Sequence, residues 1–572
     1  MQNKTVAKYL AEFLRDNGIT KVFAIQGGGS ARLIDAIGMT DGIDYICNQH
    51  EQASAMAADG YARASGSIGC ALSTSGPGAT NLLTGICGTY FDSIPVLFIT
   101  GQVSSYRLKG NLNVRCMHTQ ETDIVKMTDH VTKYAVKLES PDRIRYELEK
   151  CLFLAKSGRP GPVLLDIPDD YQRTEIDEDS LASYYDGDEF NGIGYEGNAS
   201  ICYDEAVSSY IETSKRPVII AGWGVHASNS EKSFCRLVEL LGIPVVLTWG
   251  GRDLLPYDHR LNAGTVGING TVSGNYAVSH ADLIISIGAR LDQHTIIVPL
   301  KDFCCDAKLI YVDIDNNEIK RFKEVGRKLD LAIREDCDVF FEKSLKYFSN
   351  TKYHRDTFEL WVEEIESKKD YNKWNNTNRI DSKIVPYDFF RDLSEILEEN
   401  ALIFVDTGSS LVWAEQALKV KGSQRIHSSL NNTPMGYSLP AAIGAAIYTG
   451  KRVYSINGDG GLQMNIQELA TLVRHNLDLK ILLFDNAGYG MVQRTQDTYM
   501  NSRYEGTDIP SGLAFPDFEK VFKAYGIDVT VIENCCGVVD KLRDAFSKKG
   551  PGCVIVRVSL HEGYQSFNKL SN

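Results

Sequence analysis

The sequence has no uninterrupted apolar run of about 18 residues, the least that reads as a membrane span, so no membrane partner is expected. It has no long basic run, and its net charge is −14, which argues against nucleic acid as a partner. It has no Cys-x-x-Cys pair and no Cys/His cluster at metal-ligand spacing. The 13 cysteines are an odd number scattered through apolar segments, with Cys304-Cys305 and Cys535-Cys536 adjacent. Neighbouring residues seldom bridge, so buried, reduced thiols are expected. No low-complexity tract and no repeat of fixed period appears. The opening stretch, MQNKTVAKYLAEFLRDNG, reads as an amphipathic helix rather than a signal peptide, and the expected location is cytoplasmic.

What is present is a chain of 572 residues, 43% hydrophobic and 23% charged, which is the composition of a globular protein with room for about three or four domains. Strand-like apolar runs alternate with helical patterns, so the fold expected is α/β with three doubly wound parallel-sheet domains. The first, residues 1–180, has strand candidates at Lys21–Ile25, Ile43–Cys47, Ile68–Thr74 and Pro95–Thr100. The second, residues 200–350, has them at Pro217–Ala221, Pro244–Leu247, Leu283–Ile287 and Leu309–Val312. The third, residues 380–572, includes Val453–Ile456 and Ile481–Phe484. The acidic stretch at about 172–200 and the charged stretch at about 350–380 read as linkers.

The densest signal is RVYSINGDGGLQMNIQELATLVRHNLDLKILLFDNAGYG, residues 452–490. It reads as strand, glycine turn, helix and strand, with Asn465 and Glu468 spaced as a capping box. A βαβ crossover is nearly always right-handed, so its strands run parallel. Asp459 and Asn486 then share the carboxyl edge of one sheet, where ligands bind in such folds. A carboxylate, an amide oxygen and the carbonyl of Gly488 would leave an octahedral Mg²⁺ room for phosphate oxygens and water. Gly458, Gly460 and Gly461 let backbone N–H groups approach a diphosphate at a helix N-terminus.

GDG followed by Asn after a helix and a strand resembles the thiamine diphosphate signature, although the usual Asn-Asn pair is Asp485-Asn486 here. NQHEQASAMAADGYAR (residues 48–63) and STSGPGATNLLTGI (residues 73–86) are similar to the pyrimidine-binding domain of the acetolactate synthase branch of those enzymes. The resemblance covers almost the whole chain, in three blocks and in order. It implies a pyrimidine-binding, a central and a diphosphate-binding domain, and at least a homodimer or homotetramer. It makes Glu51 the residue that hydrogen-bonds the aminopyrimidine ring and starts proton exchange. Gln120, in HTQETD, matches an active-site Gln, with Thr119 where the family has Phe. Gln26 and Gly27 become candidate oxyanion donors. Pro77 and Asn81 shape the pyrimidine pocket, Met435 is the apolar wedge under the cofactor, and Tyr489, Gly490 and Met491 complete its cradle. The implied middle domain binds FAD through Arg159, Gly222, Gly224, Gly288, Arg290, Asp292, Asp313 and Ile314, with Trp223 and His294 replacing residues usual in that family; relatives without flavin keep similar segments as structure, which is the alternative reading.

The implied reaction decarboxylates a 2-oxo acid such as pyruvate and passes the two-carbon unit to a carbonyl acceptor. The substrate side departs from acetolactate synthases. A Pro-Gly-Gly turn is Gln26-Gly27-Gly28, a Lys is Asp169, a Gln-His pair is missing near Ser409-Ser410, and a Trp falls near Thr495. These changes fit either an acetolactate synthase of a distant branch or a larger, polar acceptor. A nucleotide-linked keto sugar is one such acceptor, as in enzymes resembling the yersiniose-pathway carboligase. A decarboxylase or flavin-linked oxidase on the same scaffold is a further alternative.

Overall fold

The computed structural model describes residues 4–192, 203–351, 355–369, 384–564 and 566. Its strands are β1 (Lys4–Thr5), β2 (Lys21–Ala24), β3 (Asp44–Cys47), β4 (Gly69–Ser73), β5 (Val96–Gln102), β6 (Tyr134–Lys137), β7 (Val163–Pro168) and β8 (Glu175–Ile176) in the first part of the chain. The middle part has β9 (Pro217–Ala221), β10 (Val245–Leu247), β11 (Asn262–Thr265), β12 (Leu283–Ile287), β13 (Lys308–Asp313) and β14 (Leu331–Arg334). The last has β15 (Leu402–Val405), β16 (Arg425–His427), β17 (Val453–Gly458), β18 (Leu479–Asp485), β19 (Asp528–Ile532) and β20 (Gly552–Arg557).

They form three six-stranded parallel sheets, with β1 and β8 as a short antiparallel pair. The first sheet has the order β3-β2-β4-β5-β7-β6 and the third β16-β15-β17-β18-β20-β19. Counted from each sheet's own first strand, the two orders are identical, the topological trace of a shared grammar that no fixed sequence period revealed. The middle sheet, β11-β10-β9-β12-β13-β14, has the 3-2-1-4-5-6 order of dinucleotide-binding folds. Central strands such as β4, β5, β7 and β18 are buried along their whole length, which is why they read as continuous rather than alternating apolar runs.

The first and third sheets meet through helices Glu51–Ser65 and Ser438–Thr449. A Cβ on Gly60 would lie 2.0 Å from the carbonyl oxygen of Ala441, and one on Gly444 would lie 1.9 Å from that of Ala57. Glycine at both crossings lets backbone touch backbone. Buried Arg63 extends the weld: it donates to Asp59 at 2.5 Å and to Asp92 at 2.7 Å, while the hydroxyl of Tyr437 donates to Asp59 at 2.6 Å. Asn431 also donates to Asp92 and accepts from Arg290 of the middle domain.

Three local expectations change. The stretch after residue 172 is structured as far as 192: β8 pairs with β1, and Tyr184 is fully buried among aromatic rings. Helix Glu359–Glu366 packs Trp361 and Ile365 into the middle domain, so this part of the second expected linker is core. Residues 193–202, 352–354 and 370–383 lie outside the described residues. The cysteines among the described residues are all free, but Cys47, Cys116, Cys305, Cys535 and Cys536 are exposed rather than buried. The opening helix is present as Val6–Asp16, capped by Thr5. No helix among the described residues is long and apolar enough to cross a membrane.

Candidate active site at two sheet edges

One group of residues surrounds the turn after β4. Glu51 opens its helix and is 9% exposed. Its Oε2 accepts the side-chain amide of Asn81 at 2.9 Å, and a Cβ on Gly78 would lie 3.2 Å from its Oε1. Pro77 starts the short helix that carries Gly78 and Asn81. Gln120 packs on the same turn: a Cβ on Gly76 would lie 2.8 Å from the Cβ of Gln120. Gly27 packs on it from the other side, with no room for a side chain against Thr74. Glu51, Gln120 and Gly27 therefore converge on residues 74–78 from the start of a helix and from two separate loops. Gln26, beside Gly27, is exposed.

The loop that bears Gln120 is fastened from two directions. The carboxylate of Glu121 accepts backbone N–H groups of Lys109 at 2.7 Å and Met117 at 2.6 Å. Buried Asp166 accepts the side chains of Thr100 at 2.7 Å and Gln102 at 2.9 Å, and Gln102 also donates to the carbonyl of Thr122. Burial raises Asp166 to about 6.

The second group lies where β17 and β18 end. Asp459 follows β17 and is 2% exposed. Its Oδ2 accepts the backbone N–H groups of Asn486 at 3.0 Å and Ala487 at 2.6 Å. Asn486 turns its own Oδ1 to the N–H of Gly488 at 3.2 Å. Burial, and then the charge of Asp485, push Asp459 up to about 7. Among the described residues no cation pairs with Asp459, whereas Asp485 is paired with Arg557. A buried carboxylate held only by N–H groups, beside an amide oxygen and a carbonyl, is a donor set that fits a hard divalent cation.

Met435 and Tyr489 meet over Gly460. A Cβ there would lie 2.3 Å from the Tyr489 ring and 3.1 Å from the terminal methyl of Met435. Gly461 is equally confined, by Asp406, whereas Gly458 faces open space. Gly490 abuts Asn486 and Ser409 and begins helix Gly490–Tyr499, with Met491 next. The bare Gly460 backbone beneath two bulky side chains is the kind of cradle a diphosphate-linked ring requires.

Two supports of this group were not anticipated. Asp406 is fully buried and accepts the N–H groups of Thr407 at 2.9 Å, Gly436 at 2.9 Å and Tyr437 at 3.3 Å, which sets the turn that presents Met435. A carboxylate at a strand end followed by Thr-Gly was its only sequence signal. Glu468 does not cap a helix with Asn465. It reaches the first domain, accepting from Asn48 at 2.9 Å and from the backbone of Gln49 at 2.8 Å, while Asn465 donates to the carbonyl of Gly436.

A third feature is a cavity of about 730 Å³ where the three domains meet. Arg159, Gly224, Gly288, Arg290, Asp292, Asp313 and Ile314 line it. Gly222 instead lies against Gly288 and Ala289, where two strand-end loops touch. Arg159 pairs with Asp315 and Glu318, and Arg290 with Asp292. Burial raises Asp313, at the end of β13, to about 6. Cations, glycine turns and a strand-end carboxylate on a 3-2-1-4-5-6 sheet form a set that fits a dinucleotide.

Three family models match the chain. "Thiamine pyrophosphate enzyme, N-terminal TPP binding domain" matches residues 4–127, the corresponding central domain 205–343, and the C-terminal TPP binding domain 406–556. A protein of Methanocaldococcus jannaschii named "Probable acetolactate synthase large subunit" is 35% identical over 555 residues, 95% of this chain and 90% of that one. The acetolactate synthase large subunit of Lactococcus lactis is 32% identical over 567 residues, 97% and 93% of the two chains. Acetolactate synthase 1, chloroplastic, of Nicotiana tabacum is 33% identical over 553 residues, 94% and 79%.

Proposed function

The chain belongs to the thiamine pyrophosphate enzymes, in their acetolactate synthase-like branch, and on that footing we propose that it is a Mg²⁺-dependent carboligase acting on a 2-oxo acid, pyruvate first. The observation that carries the proposal is the pair of prepared edges: Glu51, Gln120 and Gly27 around residues 74–78, and Met435, Gly460, Tyr489 and Asp459 at the ends of β17 and β18. A Cβ would collide in either place.

Thiamine diphosphate, when bound, supplies the carbon nucleophile and the electron sink for loss of carbon dioxide. Asp459, Asn486 and the carbonyl of Gly488 would hold Mg²⁺, which would neutralise the diphosphate. Glu51, oriented by Asn81, would exchange a proton with the pyrimidine ring. Met435 and Tyr489, which pack on Gly460, would wall the cofactor on that side, a positioning effect. Gln120, Gln26 and the Gly27 backbone offer donors to the oxygen that gains charge on the substrate. Closure of the two sheet edges by a partner subunit would keep water from ending the reaction before a carbonyl acceptor arrives.

FAD is the proposed occupant of the central cavity, over Gly224 and Gly288, with Arg159, Arg290 and Asp313 at its polar parts. The relatives reported above lend no weight to a keto-sugar acceptor or to a simple decarboxylase, so a second pyruvate is the proposed acceptor. A homodimer is proposed, in which each pyrimidine edge faces the partner's diphosphate edge. The test is calorimetric titration of thiamine diphosphate with and without Mg²⁺. Binding that needs Mg²⁺ and is lost in Asp459→Ala supports the proposal, and equal binding without metal would contradict it.

A further inference from the structure

The central cavity has a direction. Its lining comes from the carboxyl ends of β10, β9, β12, β13 and β14, which are consecutive in the sheet. Four inter-strand steps of about 4.8 Å make a trough roughly 19 Å long, the reach of an extended dinucleotide rather than of one nucleotide. The chemistry changes along it. At the β10 and β9 end stand Trp249 and Trp223, with His294 edge-on to Trp249 at 4.6 Å between ring centres. Leu411 and Met491 of the third domain also line the cavity. At the β13 and β14 end stand Asp313, Glu318, Asp336 and Arg159. The loops of Gly222 and Gly288, after β9 and β12, lie between the two ends, at the point where the strand order reverses.

Both tryptophans are only half-buried, yet their indole N–H groups are buried and have no hydrogen-bond partner among the described residues. What they show to the cavity is therefore ring carbon. The guanidinium of Arg63 lies 5.3 Å from the Trp223 ring centre, and a Cβ on Gly250 would lie 3.2 Å from the Trp223 Cβ, so the ring is closely packed at its root. A fixed aromatic wall without a free donor favours a flat ring over a sugar or a phosphate.

Resting on the flavin reading above, we infer that Trp223 and Trp249 are the ring-contact residues of this chain: the planar heteroaromatic end of a dinucleotide lies on them, its diphosphate over Gly224 and Gly288 at the switch point and its adenosine ribose at Asp313. An indole in contact with a flavin quenches its emission, by an electron transfer that reverses within the excited state and leaves no net redox change. Emission per bound flavin therefore reports the contact independently of turnover.

The experiment measures binding of FAD and, separately, of ADP to the full chain by ultrafiltration, together with emission per bound flavin. It uses the wild type, Trp223→Phe, Trp249→Phe, the double variant and Asp313→Asn. The wild type holds FAD in a weakly emitting state and binds ADP at least about tenfold less tightly. The double variant brightens bound FAD several-fold and weakens it by about three- to tenfold, with ADP unchanged, which also shows that it is folded. Asp313→Asn weakens FAD and ADP alike without changing emission. If the wild type binds no FAD, the flavin reading itself falls. If FAD binds but its emission and affinity are the same in both single tryptophan variants and the double, the ring contact is refuted while the flavin reading stands. Loss of ADP binding in the tryptophan variants would reverse the orientation and overturn it.

Discussion

Glu468 of the third domain accepts the side-chain amide of Asn48 of the first, across 420 residues of sequence, at 2.9 Å. The same carboxylate accepts the backbone N–H of Gln49 at 2.8 Å and the hydroxyl of Thr471 at 2.8 Å. It is thus a buried hub that ties the loop before Glu51 to the helix after the GDG turn. Glu468→Ala leaves three donors without a partner at a domain contact, and about 2–3 kcal/mol of stability is expected to go. Glu468→Gln keeps an acceptor and should lose about half as much. Urea unfolding of the two variants beside wild type checks this, with the order Ala below Gln below wild type expected.

Asp406 gives a pH dependence of known sign. Unfolded, its carboxyl titrates near 3.8, and burial in the fold raises it to about 7. The folded chain therefore holds the extra proton between those values, and stability falls as the pH rises from about 4 to about 7. Three pKa units correspond to roughly 4 kcal/mol as an upper bound. Asp406→Asn removes the titrating proton, so the difference in melting temperature between variant and wild type should move in the variant's favour across that range. A difference that does not change from pH 4 to pH 8 would refute the assignment.

Gly460→Ala should cripple cofactor binding without unfolding the protein. The added methyl meets the Tyr489 ring at 2.3 Å, and a side chain has to swing out of the cradle. At least about a tenfold loss of thiamine diphosphate affinity is expected, equivalent to about 1.4 kcal/mol. A companion Gly458→Ala, whose Cβ meets nothing within 4 Å, should bind nearly as well as wild type.

Glu51→Gln keeps the contact with Asn81 but cannot exchange a proton. Pyruvate turnover is expected to fall by about a hundredfold or more, with thiamine diphosphate affinity nearly unchanged. Steady-state rates at saturating cofactor, beside calorimetric affinities, separate the two effects.

The strands that end at the site were legible because parallel strands buried on both faces spell plain apolar runs: β9 and β12 were anticipated residue for residue, and β17 and β18 within three. Two edge strands were not, although the edge strand β3 was. β11 (NAGT) and β16 (RIH) carry too few apolar residues to stand out, and tertiary pairing alone makes them strands. At the site, motif spacing pointed to Asp459 and Asn486, because their chemistry is local to a turn, and the family resemblance pointed to Glu51. Asp406 and Glu468 were missed as supports because their partners lie about 30 and 420 residues away. Local patterning even suggested the wrong partner for Glu468, Asn465, since a side chain that bridges domains looks in sequence like any other helical acid.

The measurement that bears most directly on the proposed reaction is the ratio of pyruvate consumed to carbon dioxide released, with the products identified by NMR, in the presence of thiamine diphosphate and Mg²⁺. A carboligase that joins two pyruvates consumes a pair of them for each carbon dioxide and yields acetolactate, and that is the result expected. One pyruvate per carbon dioxide, with acetaldehyde or acetate as the product, would contradict it.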